Sequence, residues 1–224
     1  MKLPITAAAL VGAGFLTGLT GAATQATASP TADECAALGI FIQGTPGDDV
    51  LVGTPGGDVI WGMGGNDVIR GRGGEDVILG HGGRDRITGG ACDDEVDGGY
   101  GNDVILGADG DDVLRGRWGK DVVRGGPGDD QVSGWEGADR VYGDTGDDHV
   151  QGDAAADHVY GGPGDDDLYG NGRGDWVYGG PGDDDLRGNG GGDELYGNAG
   201  SDRADGGAGQ DKCRSVFPTI SCEL

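Results

Sequence analysis

Nineteen aspartates stand nine residues apart without a break: Asp49, Asp58, Asp67, Asp76, Asp85, Asp94, Asp103, Asp112, Asp121, Asp130, Asp139, Asp148, Asp157, Asp166, Asp175, Asp184, Asp193, Asp202 and Asp211. Each is the sixth residue of a nonapeptide that opens on Gly; the array begins at Gly44 and ends at Arg214. Position four is Gly in sixteen of the nineteen units, the exceptions being Cys92, Ala155 and Arg173. Glycine at one and four lets the backbone take positive φ and turn sharply, aiming successive carbonyls into one concavity. The aspartate adds a carboxylate to those carbonyls. Hard oxygens in that number suit Ca2+, which accepts about six to eight at flexible geometry, better than Mg2+, which demands a tighter octahedron. The row of carboxylates therefore reads as a row of metal ligands.

Such ligands need strands to hold them in line. Position eight is Ile, Leu or Val in seventeen units, with Ala204 and Cys213 departing. Positions seven to nine read as a short strand with position eight inward and seven and nine outward. If one nonapeptide supplies one turn and one strand, two are needed to go round once. Odd units then stack in one sheet and even units in the other, so residues eighteen apart are neighbours. The segments 161–178 and 179–196 agree at fourteen of eighteen positions, as that coil predicts. Position nine adds independent support: Tyr142, Tyr160, Tyr178 and Tyr196 form one ladder, whereas the alternate series reads Ser133, Gln151, Tyr169 and Arg187.

The pattern G-G-x-G-x-D-x-U-x, held over residues 44–214, resembles the haemolysin-type calcium-binding (RTX nonapeptide) repeat family. The resemblance implies an all-β, right-handed parallel β-roll of about 9.5 coils with short end caps. It also implies that each ion lies between stacked turns and draws on backbone carbonyls and the position-six carboxylate from both. Asp49 would share an ion with Asp67, and Asp58 with Asp76, giving at most about seventeen Ca2+ for nineteen units. Turns holding Cys92, Ala155 or Arg173, or carrying Arg84 or Lys120 beside the Asp, are the ones expected to bind weakly. One aliphatic side chain per nine residues makes a thin core, so the chain is expected to be disordered without Ca2+ and to fold on binding it.

The first 28 residues read as a signal peptide: Lys2, an uncharged run from Leu3 to Ala23, and the small-x-small site Ala26-Thr27-Ala28. Its removal takes the net charge from −25 to −26, since one Lys is lost. A secreted chain without further membrane insertion is expected, and its acidity argues against nucleic acid. Domain boundaries follow as an N-terminal cap over 29–43, the roll over 44–214 and a C-terminal cap over 215–224. Four cysteines in an exported chain suggest two disulfides. Counting by nine puts Cys213 and Cys222 at position eight on opposite sheets, so they are paired, which leaves Cys35 with Cys92, the latter expected to point outward. The segment 35–43 lacks the Asp yet places Ile42 inward.

Other chemistry finds little footing. The sequence has no H-E-x-x-H, no G-x-S-x-G and no EF-hand loop, for Val104 stands where Glu is required after Asp93. Catalysis is not expected. His81, His149 and His158 fall in separate places and suggest no zinc site. Arg173-Gly174-Asp175 spells an adhesion tripeptide, but its Asp already belongs to the metal row. Thr is too sparse for an ice-binding rank. A face bearing Tyr142, Tyr160, Trp176, Tyr178 and Tyr196 offers either cross-strand packing or a glycan or protein contact. A structural or interaction module is the favoured role. The alternatives are a soluble extracellular calcium buffer and, less favoured, an accessory module of a secreted enzyme system.

Overall fold

The computed structural model describes residues 35–214 and 219–221. The eighteen-residue coil predicted from the period is the unit that forms. Odd units, from Val50–Val52 to Lys212–Arg214, build a ten-stranded parallel sheet. Even units build a twelve-stranded sheet, with Leu38–Gln43 at one end, Thr219–Ser221 at the other and Ala208–Gly209 beside Asp185–Gly191. Partners within each sheet are eighteen residues apart, as in Val123↔Val141 and Val132↔Val150. The molecule is an all-β parallel β-roll.

Position eight faces inward throughout. Seventeen aliphatic side chains from Ile60 to Ala204 are at most 2% exposed and form one continuous column between the sheets. Leu51 and Cys213, in the terminal coils, are only partly buried against it because a sheet neighbour is missing on one side. Burying such a side chain stabilises by roughly 1.5–3 kcal/mol, and each coil contributes only two.

Two local features differ from the expected turn. Most strands run six residues rather than three; Val113–Trp118, for example, continues through positions one to three of the next unit. The backbone N–H groups there join the inter-coil ladder, as Asp144, in the strand Arg140–Thr145, donates to the Gly161 carbonyl at 2.9 Å. Positive φ belongs to positions two and four, not one and four. Met63, Arg72, Arg117, Trp135 and Asp153, all at position two, have φ between 72° and 95°. Position-one glycine serves close approach instead. A Cβ on Gly125 would lie 2.0 Å from Asp130 Oδ2 and 2.6 Å from the Gly143 carbonyl oxygen.

The ends also depart from the period. Phe41, Ile42 and Gln43 pair with Val59, Ile60 and Trp61 in register, but the register breaks before them. Residues 35–37 leave the coil and run across its turns. The Gly57 N–H donates to the Ala37 carbonyl, the Glu75 N–H to the Cys35 carbonyl, and Cys35 is disulfide-bonded to Cys92 with Cα atoms 5.7 Å apart. These contacts fall on three successive coils, so the segment is a strap. The Cys35–Cys92 pairing is as expected, but Cys92 is 5% exposed rather than outward-pointing, being covered in this arrangement. At the other end, Ala204 pairs with Thr219, fifteen residues on, rather than with Cys222 at eighteen. The segment SVFPTISCE has neither Gly first nor Asp sixth, so the nonapeptide pattern stops at Arg214. Cys213 is disulfide-bonded; its expected partner Cys222 lies outside the described residues, as does the candidate leader 1–28.

Candidate metal centre

Eighteen of the nineteen repeat aspartates, Asp58 to Asp211, are at most 3% exposed; Asp49, in the first coil, is half-buried. They form two columns, one under each long edge of the roll. Every carboxylate from Asp67 to Asp211 reaches back one coil. Its Oδ1 accepts the backbone N–H of the Asp eighteen residues earlier, at 2.8 Å for Asp49 to Asp67, Asp121 to Asp139 and Asp157 to Asp175. The last such link, Asp193 to Asp211, is 2.9 Å. Side chain and backbone thus lock adjacent turns together in the places the period assigned.

The second carboxylate oxygen is the telling atom. In sixteen aspartates, from Asp67 through Asp202, Oδ2 is buried and accepts no hydrogen bond. A buried polar atom left without a partner costs about 1–3 kcal/mol, and more when charged. Sixteen in one chain require a common explanation. The surroundings supply no donor: near Gly71, Asp76 Oδ2 and the Gly89 carbonyl oxygen lie 2.0 and 2.5 Å from the point a Cβ would occupy. Burial pushes these carboxyls up, to about 6 at Asp76, about 7 at Asp85 and about 8 at Asp94, Asp148 and Asp157; the backbone N–H bond opposes the rise and neighbouring Asp charges add to it. An acceptor-only cradle of this kind is complementary to a hard cation.

Among the described residues, no three His, Cys, Asp or Glu side chains converge on one point. One carboxylate per turn leaves most of a cation's ligands to backbone carbonyls, as the glycine-rich turn anticipates. Cys92, Ala155 and Arg173 keep positive φ at position four, at 84°, 99° and 150°. Their units still bury Asp94, Asp157 and Asp175 with Oδ2 unpartnered. Asp175 is 0% exposed, which removes the Arg173-Gly174-Asp175 tripeptide from any surface role.

Among the described residues the first two turns place a threonine at position two, and the period alone did not single them out. Position two there is Thr, before Pro, and neither Thr is among the residues at positive φ. The Thr45 N–H donates to Asp49 Oδ2 at 2.6 Å and the Thr54 N–H to Asp58 Oδ2 at 2.5 Å. A β-branched residue ahead of proline is held to extended φ/ψ, which turns its amide toward the carboxylate. The T-P dipeptide in place of G-P was the available signal.

Outside the columns, position five differs between the two edges. On the even-unit edge Asp93, Asp111, Asp129, Asp147, Asp165 and Asp183 form an exposed row. Each accepts the position-five N–H of the following coil at 2.8–2.9 Å. The odd-unit edge reads Asp48, Asn66, Arg84, Asn102, Lys120 and Ala138.

The aromatic face is a stack. Tyr142, Tyr160, Tyr178 and Tyr196 lie parallel with ring centroids 4.7, 5.0 and 4.8 Å apart. Arg124 covers the free face of Tyr142 at 4.6 Å and Arg214 that of Tyr196 at 5.6 Å. Trp176 meets His158 edge-on beside them. The tyrosine ring faces are therefore used within the stack, and edges and hydroxyls are what solvent meets.

His149 and His158 lie on different sheets, as the register required. Among the described residues no helix is long and apolar enough to cross a membrane.

Comparison with curated proteins finds no match. Comparison with protein families finds the RTX calcium-binding nonapeptide repeat (four copies), matched at residues 43–78, 70–105, 97–132, 115–150, 142–177 and 178–213. These segments together run unbroken from 43 to 213, over three quarters of the chain, and coincide with the coils that carry the buried carboxylates. The chain belongs to the RTX calcium-binding nonapeptide repeat family.

Proposed function

We propose that this protein is secreted, takes up multiple Ca2+ between its stacked turns, at most about seventeen, and folds as it does so. It then serves as a structural or interaction module rather than a catalyst. The observation that carries the reading is the set of sixteen buried, unpartnered Oδ2 atoms. Without a cation they are a large destabilising load on a core of two side chains per coil. With one they become the strongest contacts in each turn. Ions that bind the folded state alone stabilise it by RT ln(1+[L]/Kd), about 0.4–1.4 kcal/mol each when free Ca2+ is one to ten times Kd. Extracellular sites typically work at about 10⁻⁴–10⁻³ M, so export is when folding would begin. The candidate leader and the Cys35–Cys92 disulfide support that location.

The test is calorimetric titration of the chelated protein with Ca2+, followed by circular dichroism. Uptake of many ions with a parallel gain of strand is the expected result. An unchanged strand signal in chelator sinks folding on binding, and no uptake sinks the reading entirely.

One observation favours the calcium-buffer alternative. Rings stacked on each other and capped by arginine offer no free face for a sugar ring. Changing Tyr142, Tyr160 and Tyr178 to Ser separates the two. Loss of glycan or cell association with Ca2+ uptake retained supports the module, and no change supports the buffer.

A further inference from the structure

The array differs at its start from every later coil, and the differences all act in the same direction. Asp49 and Asp58 have their Oδ2 atoms satisfied by Thr45 and Thr54 amides, while those of Asp67 through Asp202 are buried without a partner. Thr54 Oγ1 also donates to Asp58 Oδ1 at 3.1 Å, and Gly56 N–H donates back to Thr54 Oγ1 at 3.2 Å. The Asp58 Oδ1 that would otherwise await an aspartate amide accepts the Ile40 N–H from the first strand. Phe41 packs edge-on against Trp61 at 5.1 Å, fastening that strand to the next coil. The strap then crosses three coils and is fixed covalently, Cys35 to Cys92, closing a sequence separation of 57 residues.

We propose that the N-terminal end is a calcium-independent seed: its first two turns close on threonine amides instead of metal, the strap holds this first coil in register with the two that follow, and the calcium sites begin at Asp67. Folding then proceeds from this end as each ion locks the next turn onto a coil already in place. The physical reason is nucleation. The first coil of a parallel roll must be ordered before any inter-coil hydrogen bond or inter-coil ion can repay its entropy. A cross-link and two self-satisfied turns remove part of that cost from the step where no metal can help. The placement of the first calcium site rests on the metal reading above; the seed itself does not.

The experiment is amide hydrogen exchange on the full, disulfide-intact chain in excess chelator, then in saturating Ca2+. In chelator, the Ile40, Thr45, Thr54 and Gly57 amides exchange at least about tenfold more slowly than the His149, Trp176 and Glu194 amides. Added Ca2+ protects the latter group and changes the former little. Equal exchange in both groups, in a chain that still binds Ca2+, overturns the proposal. Protection at the N-terminus in a chain that takes up no Ca2+ keeps the seed and overturns the metal reading instead.

A double substitution, Thr45→Gly with Thr54→Gly, recreates the Gly-Pro turns found at Gly162-Pro163 and Gly180-Pro181. Its chelator-resistant protection falls, and its Ca2+ uptake rises by one or two ions. Folding of this variant in saturating Ca2+ is checked by its strand signal. Unchanged uptake with unchanged protection overturns the proposal. Cys35→Ser with Cys92→Ser provides the second arm: the N-terminal amides lose chelator protection while the ion count stays the same.

Discussion

The turn at Asp58 and the turn at Asp130 share Gly at one and four and Asp at six, yet they solve the same problem differently. At Asp58 a threonine amide and hydroxyl and an amide from the first strand surround the carboxylate. At Asp130 the Asp112 amide satisfies one oxygen and nothing satisfies the other. At position two, ahead of a shared Pro, the first turn has Thr54 and the second Gly126. Whether position two can adopt positive φ decides where its N–H points, and so whether the carboxylate is content or waits for a cation. A conserved-looking motif residue can thus have opposite needs in two copies of one repeat.

The largest test of that contrast is removal of metal. At neutral pH, excess chelator should cost the chain more than half of its strand signal in circular dichroism, with retained protection confined to residues before Asp67. Retention of the full signal would mean the unpartnered oxygens are tolerated, and the contrast between the two kinds of turn would lose its meaning.

Protons offer a second way in. Burial raises the folded-state carboxyls to about 6–8, against about 3.8 for the unfolded chain. The metal-free roll therefore binds protons more tightly than the unfolded chain. Its stability is greatest below about pH 4 and is lost as pH rises through 6–8. Chelated protein should gain strand on acidification from pH 8 to pH 4. The Ca2+-loaded protein should release ions over the same range, because proton and metal compete for one oxygen. A pH titration with and without chelator, counting bound Ca2+, reads both.

Single aspartates sharpen the comparison further. Asp139→Ala removes both an orphaned oxygen and the link to the Asp121 amide; at least one ion should be lost from the calorimetric count. Asp49→Ala should leave the count unchanged and cost about 1–2 kcal/mol in denaturant unfolding at saturating Ca2+, the loss of a local cap-like bond. The smallest effect belongs to the stack. Tyr160→Leu removes the stacking on Tyr142 and Tyr178 and a tilted contact with His158; each stacked pair should cost about 0.5–1.5 kcal/mol beyond area burial, with Ca2+ uptake unaffected.

Much of this was legible in the residues. An unbroken period of nine with Tyr142, Tyr160, Tyr178 and Tyr196 at twice that spacing dictates two sheets and an eighteen-residue coil, because side chains must alternate and neighbours must match. Position eight is inward for the same reason. The carboxylate columns followed from Asp at six, and the Cys35–Cys92 pair from setting Cys213 aside. What escaped the period was whatever left it. The strap breaks register before Phe41, so counting by nine could not place residues 35–37. The final strand pairs Ala204 with Thr219, three residues short of the period, beyond the point where the Gly and Asp markers stop. Positive φ at Met63 or Trp135 was invisible to propensity, since tertiary stacking over-determines a conformation those residues avoid. Thr45 and Thr54 were readable, but only by asking what an amide before proline can face.

The exposed row from Asp93 to Asp183 has one more consequence. Cations taken up between the coils, as proposed, would neutralise the buried columns, whereas this row looks outward along a single edge and its opposite number carries Arg84 and Lys120. The loaded particle is therefore electrically lopsided across its width. Near any cationic surface it should rotate to lead with that flank, over a range set by the Debye length of about 10 Å at 0.1 M salt.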